Sequence, residues 1–148
     1  MKKLVHFVSL GVEWLDFVAP LVDLAVRIYV ANVFWKSGLV KIASWQSTLF
    51  LFENEYRVPL LSPELAAYLA TGVELGGAAL LAVGLGGRAA AVALSVLNVV
   101  AVISYPELSD AGIRNHTYWG LFLLLFVVHG PGALSVDYLI RKRLLTRI

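Results

Sequence analysis

Glu74 is the residue whose surroundings most demand chemistry. It sits near the middle of residues 63–85, a run otherwise built from Ala, Leu, Gly, Val, Tyr and Thr once the opening Pro63 and Glu64 are set aside. As one helix the run is long enough to cross a bilayer, with Glu74 about 15 Å from either end. A lone carboxylate at that depth costs several kcal/mol, so it must be protonated, paired or beside water. Arg27 lies about two turns past Pro20, near the midplane of a helix that starts there, and its guanidinium matches a carboxylate bidentately. Asp23, one turn earlier, competes for Arg27. Asn98, with Ser95 on the preceding turn, falls near the centre of a third apolar run. The expected site is an Arg27–Glu74–Asn98 layer in which Glu74 and Arg27 form the catalytic pair and Asn98 binds ligand. The same atoms would equally serve as a hydrogen-bonded cluster that fixes helix register.

A second polar set lies toward the other face of the membrane: Lys36, Lys41, Asn115, His116 and Trp119. Lys36 and His116 would line a mouth that receives an anionic substrate, or Lys36 would snorkel to the lipid head groups; Trp35 and Trp119 would border a ligand head-group pocket. His6, His116 and His129 are widely separated, with no i,i+4 pair, so no protein-only metal site is expected. The absence of cysteine excludes thiol redox chemistry in this chain.

These groups must be positioned by helices in a membrane. Of the 148 residues 59% are hydrophobic and 15% charged, with a net charge of +2, whereas soluble domains carry about 25% charged residues. Basic residues gather at the termini rather than in a stripe, so no nucleic-acid partner is implied. The sequence reads as a single all-α domain over residues 1–148, a bundle of four transmembrane helices at about 20–40, 63–85, 88–105 and 115–130. Pro20 and Pro63 open the first two, the latter with Ser62 as N-cap. Gly86-Gly87 separates the second from the third, Pro106 ends the third, and Gly130-Pro131-Gly132 ends the fourth. The fourth is short, about 24 Å of helix, which leaves a re-entrant segment as an alternative.

Lys2, Lys3, Arg88, Arg141, Lys142, Arg143 and Arg147 fall on one side of a four-span chain, so both termini are expected in the cytoplasm. Residues 1–17 would be an interfacial lead-in anchored by Trp14: the apolar run is too short for a secretory signal, and Glu13 and Asp16 follow it. Residues 131–148 would form a cytoplasmic tail. The apolar first connection, with Trp45, Phe50, Phe52 and Tyr56, should fold over the outer mouth of the bundle. On the second helix, Ala67, Ala70, Thr71, Gly77 and Ala78 share Glu74's side and should face inward, while Gly72 and Gly76 form a close-packing motif on an adjacent face.

Several segments resemble the DoxX family over roughly residues 20–140. They are Arg27 with Phe34-Trp35-Lys36-Ser37-Gly38-Leu39-Val40-Lys41, then Glu74-Leu75-Gly76-Gly77 and Leu80-Leu81-Ala82-Val83-Gly84-Leu85. Asn115-His116-Thr117-Tyr118-Trp119 and Gly130-Pro131-Gly132-Ala133-Leu134-Ser135-Val136-Asp137 complete the set. The resemblance implies a small multi-pass protein of the bacterial or archaeal cytoplasmic membrane. It also implies a quinone-interacting, redox-associated protein or subunit, with quinone as the candidate cofactor and electrons carried by it or a partner. The alternative is a non-enzymatic assembly or scaffold partner of another membrane or redox protein. Transport through the polar layer is a third reading, for which a homo-oligomer would supply more helices. The Gly-Pro-Gly ending reads as structural, with Ser135 and Asp137 capping a turn or short helix and Asp137 paired to Arg141.

Overall fold

The computed structural model describes residues 2–145, with side chains for residue 7 and residues 9–145. The side chains of Lys2, Lys3 and His6, and all of Arg147, lie outside the described residues. Among the described residues the helices are α1 (Lys2–Ala43), α2 (Trp45–Asn54), α3 (Pro63–Val83), α4 (Gly87–Ser104), α5 (Asp110–His129) and α6 (Val136–Leu145). Three of them are long and apolar enough to cross a membrane: residues Ser9–Ala43 of α1, and all of α3 and α4.

Two helix starts differ from the sequence reading, and α1 ends at Ala43 rather than Val40. Helix α1 does not begin at Pro20 but runs through it. Proline removes one backbone donor, and here the helix continues on both sides of that loss. The lead-in is therefore the first half of α1 rather than a separate element, and Trp14 on it is exposed. Helix α5 starts earlier than Asn115, because Ser109 accepts the backbone N–H of Gly112 and caps it. Its 20 residues give about 30 Å of helix, so length no longer argues for a re-entrant segment. Ser62 caps α3 as expected, accepting from Leu65 N.

Helices α1 and α3 run antiparallel in close contact. A Cβ on Gly38 would lie 2.7 Å from the Leu75 side chain, and one on Gly84 would lie 3.0 Å from the Arg27 guanidinium. These contacts define the register: Gly38 faces Glu74 and Leu75, whereas Arg27 faces Gly84. Within α3, residues Val73–Gly77 form a π-turn. One extra residue in a turn rotates the faces before and after it by about 100° relative to each other.

The main core joins α1, α3, α4 and α5 through Val30, Phe34, Leu81, Leu94, Leu123 and Phe126. Ala67, Ala70, Thr71, Gly77 and Ala78 are buried, as their small size suggested. Gly72 and Gly76, in contrast, are exposed, and among the described residues nothing packs on that motif.

The apolar first connection folds over one end of the bundle. Phe52 of α2 packs on Ala66, Ala67 and Ala70 of α3, with Trp45, Leu49, Tyr56 and Val58 around them. Arg57 N donates to Ser104 O at 2.8 Å and ties the connection to the end of α4.

At the opposite end the Gly-Pro-Gly segment locks onto the α3–α4 turn. Asp137 does not pair with Arg141. Its carboxylate oxygens instead accept the N–H groups of Gly86 and Gly87, both at 2.8 Å, which satisfies unpaired donors at the start of α4 and complements its dipole. Arg141 lies over the Tyr138 ring at 5.9 Å. Ser135 caps α6 by accepting Tyr138 N at 3.2 Å, and its hydroxyl donates to Gly132 O.

Gly84 adopts φ +72°, and a Cβ there would sit 2.5 Å from Ser135 Cβ. Gly84→Val should therefore destabilise the protein by at least about 2 kcal/mol, read as a lower midpoint in a thermal unfolding assay in mild detergent. Gly72→Ala, in open space, should leave that midpoint close to wild type.

Candidate functional site

The polar groups separate into two clusters, one at mid-length of α3 on the side that opens toward α2 and one at the α3–α4 turn. On the α2 side, Lys41 Nζ lies 2.7 Å from Glu74 Oε1 in an ion pair. Ser37 Oγ donates to the same oxygen at 3.0 Å, and Lys41 Nζ also donates to Ser37 Oγ at 2.9 Å. Ser37 and Lys41 are one turn apart on α1, so both face α3. Glu74 is only 7% exposed. Its second oxygen, Oε2, is buried and accepts no hydrogen bond from any described residue.

Glu74, Ser37 and Lys41 line a cavity of about 270 Å³ together with Tyr56, Tyr105 and His116. The roof is aromatic: Tyr56 meets Phe52 and Tyr105 edge-on at 4.9 and 5.3 Å. Burial, with Tyr105, Glu55 and Glu74 nearby, raises the Tyr56 phenol above its ordinary pKa, so it is a neutral hydrogen-bonding group at physiological pH.

His116 is oriented by Asn98. Asn98 Nδ2 donates to His116 O at 2.9 Å, and His116 Nδ1 lies 2.7 Å from Asn98 Oδ1. With the amide so directed, Nδ1 carries the proton, and in the neutral ring Nε2 is left as an acceptor. Trp119 supports the imidazole edge-on at 4.9 Å and leans on Phe34.

The expected Arg27–Glu74–Asn98 layer is not formed. Arg27 is buried near the α3–α4 turn, where NH2 donates to Leu134 O at 2.7 Å and NH1 donates to Pro131 O. Counting depth from Pro20 placed it beside Glu74, but α1 extends well before Pro20 and its register on α3 sets Arg27 against Gly84 instead. Asn98 engages His116 rather than the ion pair. Trp35 is exposed and does not line the cavity. Lys36 is exposed beside a neighbouring groove of about 330 Å³ that also reaches Lys41 and Tyr56. Trp119 reaches the site through His116.

Lys41, Ser37, Tyr56 and Tyr105 were not assigned to the site from sequence. A signal existed for two of them: Ser37 and Lys41 stand at i,i+4, but ending the helix at Val40 removed Lys41 from the face it shares with Ser37. Tyr56 and Tyr105 carried none, since both flank connections whose approach is tertiary. Among the described residues, no three His, Asp or Glu side chains gather as metal ligands would.

Membrane-spanning helices around a partly polar cavity define a multi-pass membrane protein. The chain belongs to the DoxX family, whose profile matches residues 22–106, more than half of its length. That stretch contains Arg27, Ser37, Lys41, Glu74 and Asn98, and ends before His116 and the Gly-Pro-Gly segment. No curated protein and no solved structure matches significantly.

Breaking a buried pair leaves one charge without its partner. Lys41→Met or Glu74→Leu alone should each cost about 3–5 kcal/mol, and the double variant should recover most of that loss. A double-mutant cycle of unfolding midpoints in detergent measures this; purely additive losses would show that the two groups act independently.

Proposed function

We propose that this protein is a quinone-interacting, redox-associated membrane protein whose head-group site is the cavity beside Glu74. The observation that carries the reading is the position of His116. It lines both the polar cavity and a separate apolar groove of about 420 Å³ between α4 and α5, bounded by Val99, Ile103, Leu121 and Leu124. A polar chamber and an apolar surface groove that meet at one shared residue suit a ring with oxygen substituents and a long hydrocarbon tail. The chamber is just below the roughly 300–1,000 Å³ of drug-sized ligand sites, the scale of a head group alone.

Bound there, a quinone supplies two-electron, two-proton chemistry, and a redox partner protein exchanges the electrons. Lys41 and Ser37 hold Glu74 through Oε1, leaving Oε2 to exchange a proton. His116, fixed by Asn98, presents Nε2 as an acceptor to a hydroxyl of the reduced quinol, and Tyr56 offers a neutral hydroxyl. Arg27 belongs to the framework in this scheme. Glu74→Gln should weaken binding of a quinol analogue by roughly tenfold, the loss of one charge-assisted contact, measured by titration of the detergent-purified protein. Unchanged affinity, with no quinone extracted from the wild type, would overturn the proposal.

The assembly reading draws support from the first half of α1, where Phe7, Trp14 and Phe17 are each at least 70% exposed. It requires a stable complex in mild detergent that is lost on truncating that half-helix.

The topology belongs to the same proposal: four crossings in a prokaryotic cytoplasmic membrane, both termini cytoplasmic. Arg88 and the Arg141-Lys142-Arg143 run lie at the α3–α4 turn end, which supports placing that end inside. The chain has no cysteine, so single substitutions report orientation cleanly. Leu60→Cys should react with a membrane-impermeant maleimide in intact cells, and Lys142→Cys only after permeabilisation; the reverse pattern would invert the topology.

A further inference from the structure

The α3–α4 turn end carries a second cavity, of about 590 Å³, that the proposed quinone site does not use. Arg88, His129, Tyr138 and Arg141 line it. Arg88 NH2 donates to Val128 O at 3.1 Å, which holds the guanidinium at the cavity's edge. Among the described residues neither Arg88 nor Arg141 forms an ion pair. Asp137 also lines the cavity, but both its oxygens are engaged by Gly86 and Gly87. The cavity therefore offers two cations to an anion, at the level where a membrane-spanning bundle meets the head groups.

What lies beside it identifies the anion. Gly86 and Ala89 also line an apolar groove of about 570 Å³ along α3 and α4, which passes Gly72, Gly76, Leu80 and Ala93. Among the described residues nothing packs on this glycine face, and a Cβ at either Gly72 or Gly76 would meet no atom within 4 Å. A cationic chamber running into a smooth apolar channel matches a phosphate head group with an acyl chain attached. Free phosphate would use the first part and leave the second unexplained.

We propose that Arg88 and Arg141 bind the phosphate of an anionic glycerophospholipid whose acyl chain lies in the Gly72–Gly76 groove. Charge complementarity selects the head group, since a juxtamembrane cation contributes about 1 kcal/mol toward anionic lipid. The open glycine face selects the chain.

Native mass spectrometry of the detergent-purified protein tests this, with phosphatidylglycerol and phosphatidylcholine added separately. Wild type should retain phosphatidylglycerol over phosphatidylcholine by roughly thirtyfold, the sum expected for two cations. Arg88→Gln with Arg141→Gln should bring that ratio close to one, while Arg88→Lys with Arg141→Lys should preserve most of it. Gly76→Leu, filling the groove with both arginines intact, should reduce retention of both lipids. Unfolding midpoints near wild type would establish that these variants remain folded, and any variant that loses lipid by unfolding is replaced by the lysine pair as the reference. No preference in wild type, or an unchanged ratio in the glutamine pair, would overturn the proposal. So would displacement of phosphatidylglycerol by millimolar inorganic phosphate, which would assign the site to the free anion. A dimer lost on Gly76→Leu would assign the groove to a second copy. None of these outcomes depends on quinone binding at Glu74.

Discussion

A carboxylate enclosed among apolar helices has to be answered by a cation, and the geometry that answers Glu74 organises the rest of the molecule. Lys41 reaches Glu74 because Gly38, with no side chain, lets α1 approach Leu75 and Glu74 closely. The same antiparallel register carries Arg27 to Gly84 at the far end of α3. There its guanidinium holds the backbone of the Gly-Pro-Gly segment, while Asp137 from that segment holds the α3–α4 turn. One helix pair, locked by two glycine contacts, thus places one polar group at mid-length of α3 and another at the α3–α4 turn, with apolar core between them.

The two clusters are built differently. Around Arg27 and Asp137 the side-chain polar atoms meet backbone partners, Arg27 Nε excepted, which is how a framework is fastened. Around Glu74 the account is incomplete: Oε1 is shared by Lys41 and Ser37, Oε2 has no partner, and the space beside them is a cavity rather than packed side chains. Unmet capacity next to empty volume is what a ligand site requires, whereas a register-fixing cluster would close on itself.

The residues that were legible in advance are those governed by local rules. Ser62-Pro63 starts α3 and Gly130-Pro131-Gly132 ends α5, because capping and missing donors act within a turn. The inward face of α3 follows from its small residues. The apolar first connection was recognisable as a cover, since Phe52 and its neighbours had nowhere else to be buried. Pro20 misled for the same local reason: a proline is a good helix opener, yet α1 continues through it and shifts every depth counted from that point. The partner of Glu74 was misassigned as a result, and Asn98 with it.

Composition and pattern alone established an apolar, all-helical membrane chain, with Glu74 in need of a partner and a Gly-Pro-Gly break near its end; the family came from segment resemblance and its profile. Folding chose the partner, joined His116 to Asn98, brought Tyr56 and Tyr105 over the cavity, and left Gly72 and Gly76 bare. Those outcomes depend on the axial register and rotation of helices far apart in sequence. Both are set by where glycines permit close approach and where the π-turn in α3 rotates its faces, and neither is encoded in any single segment.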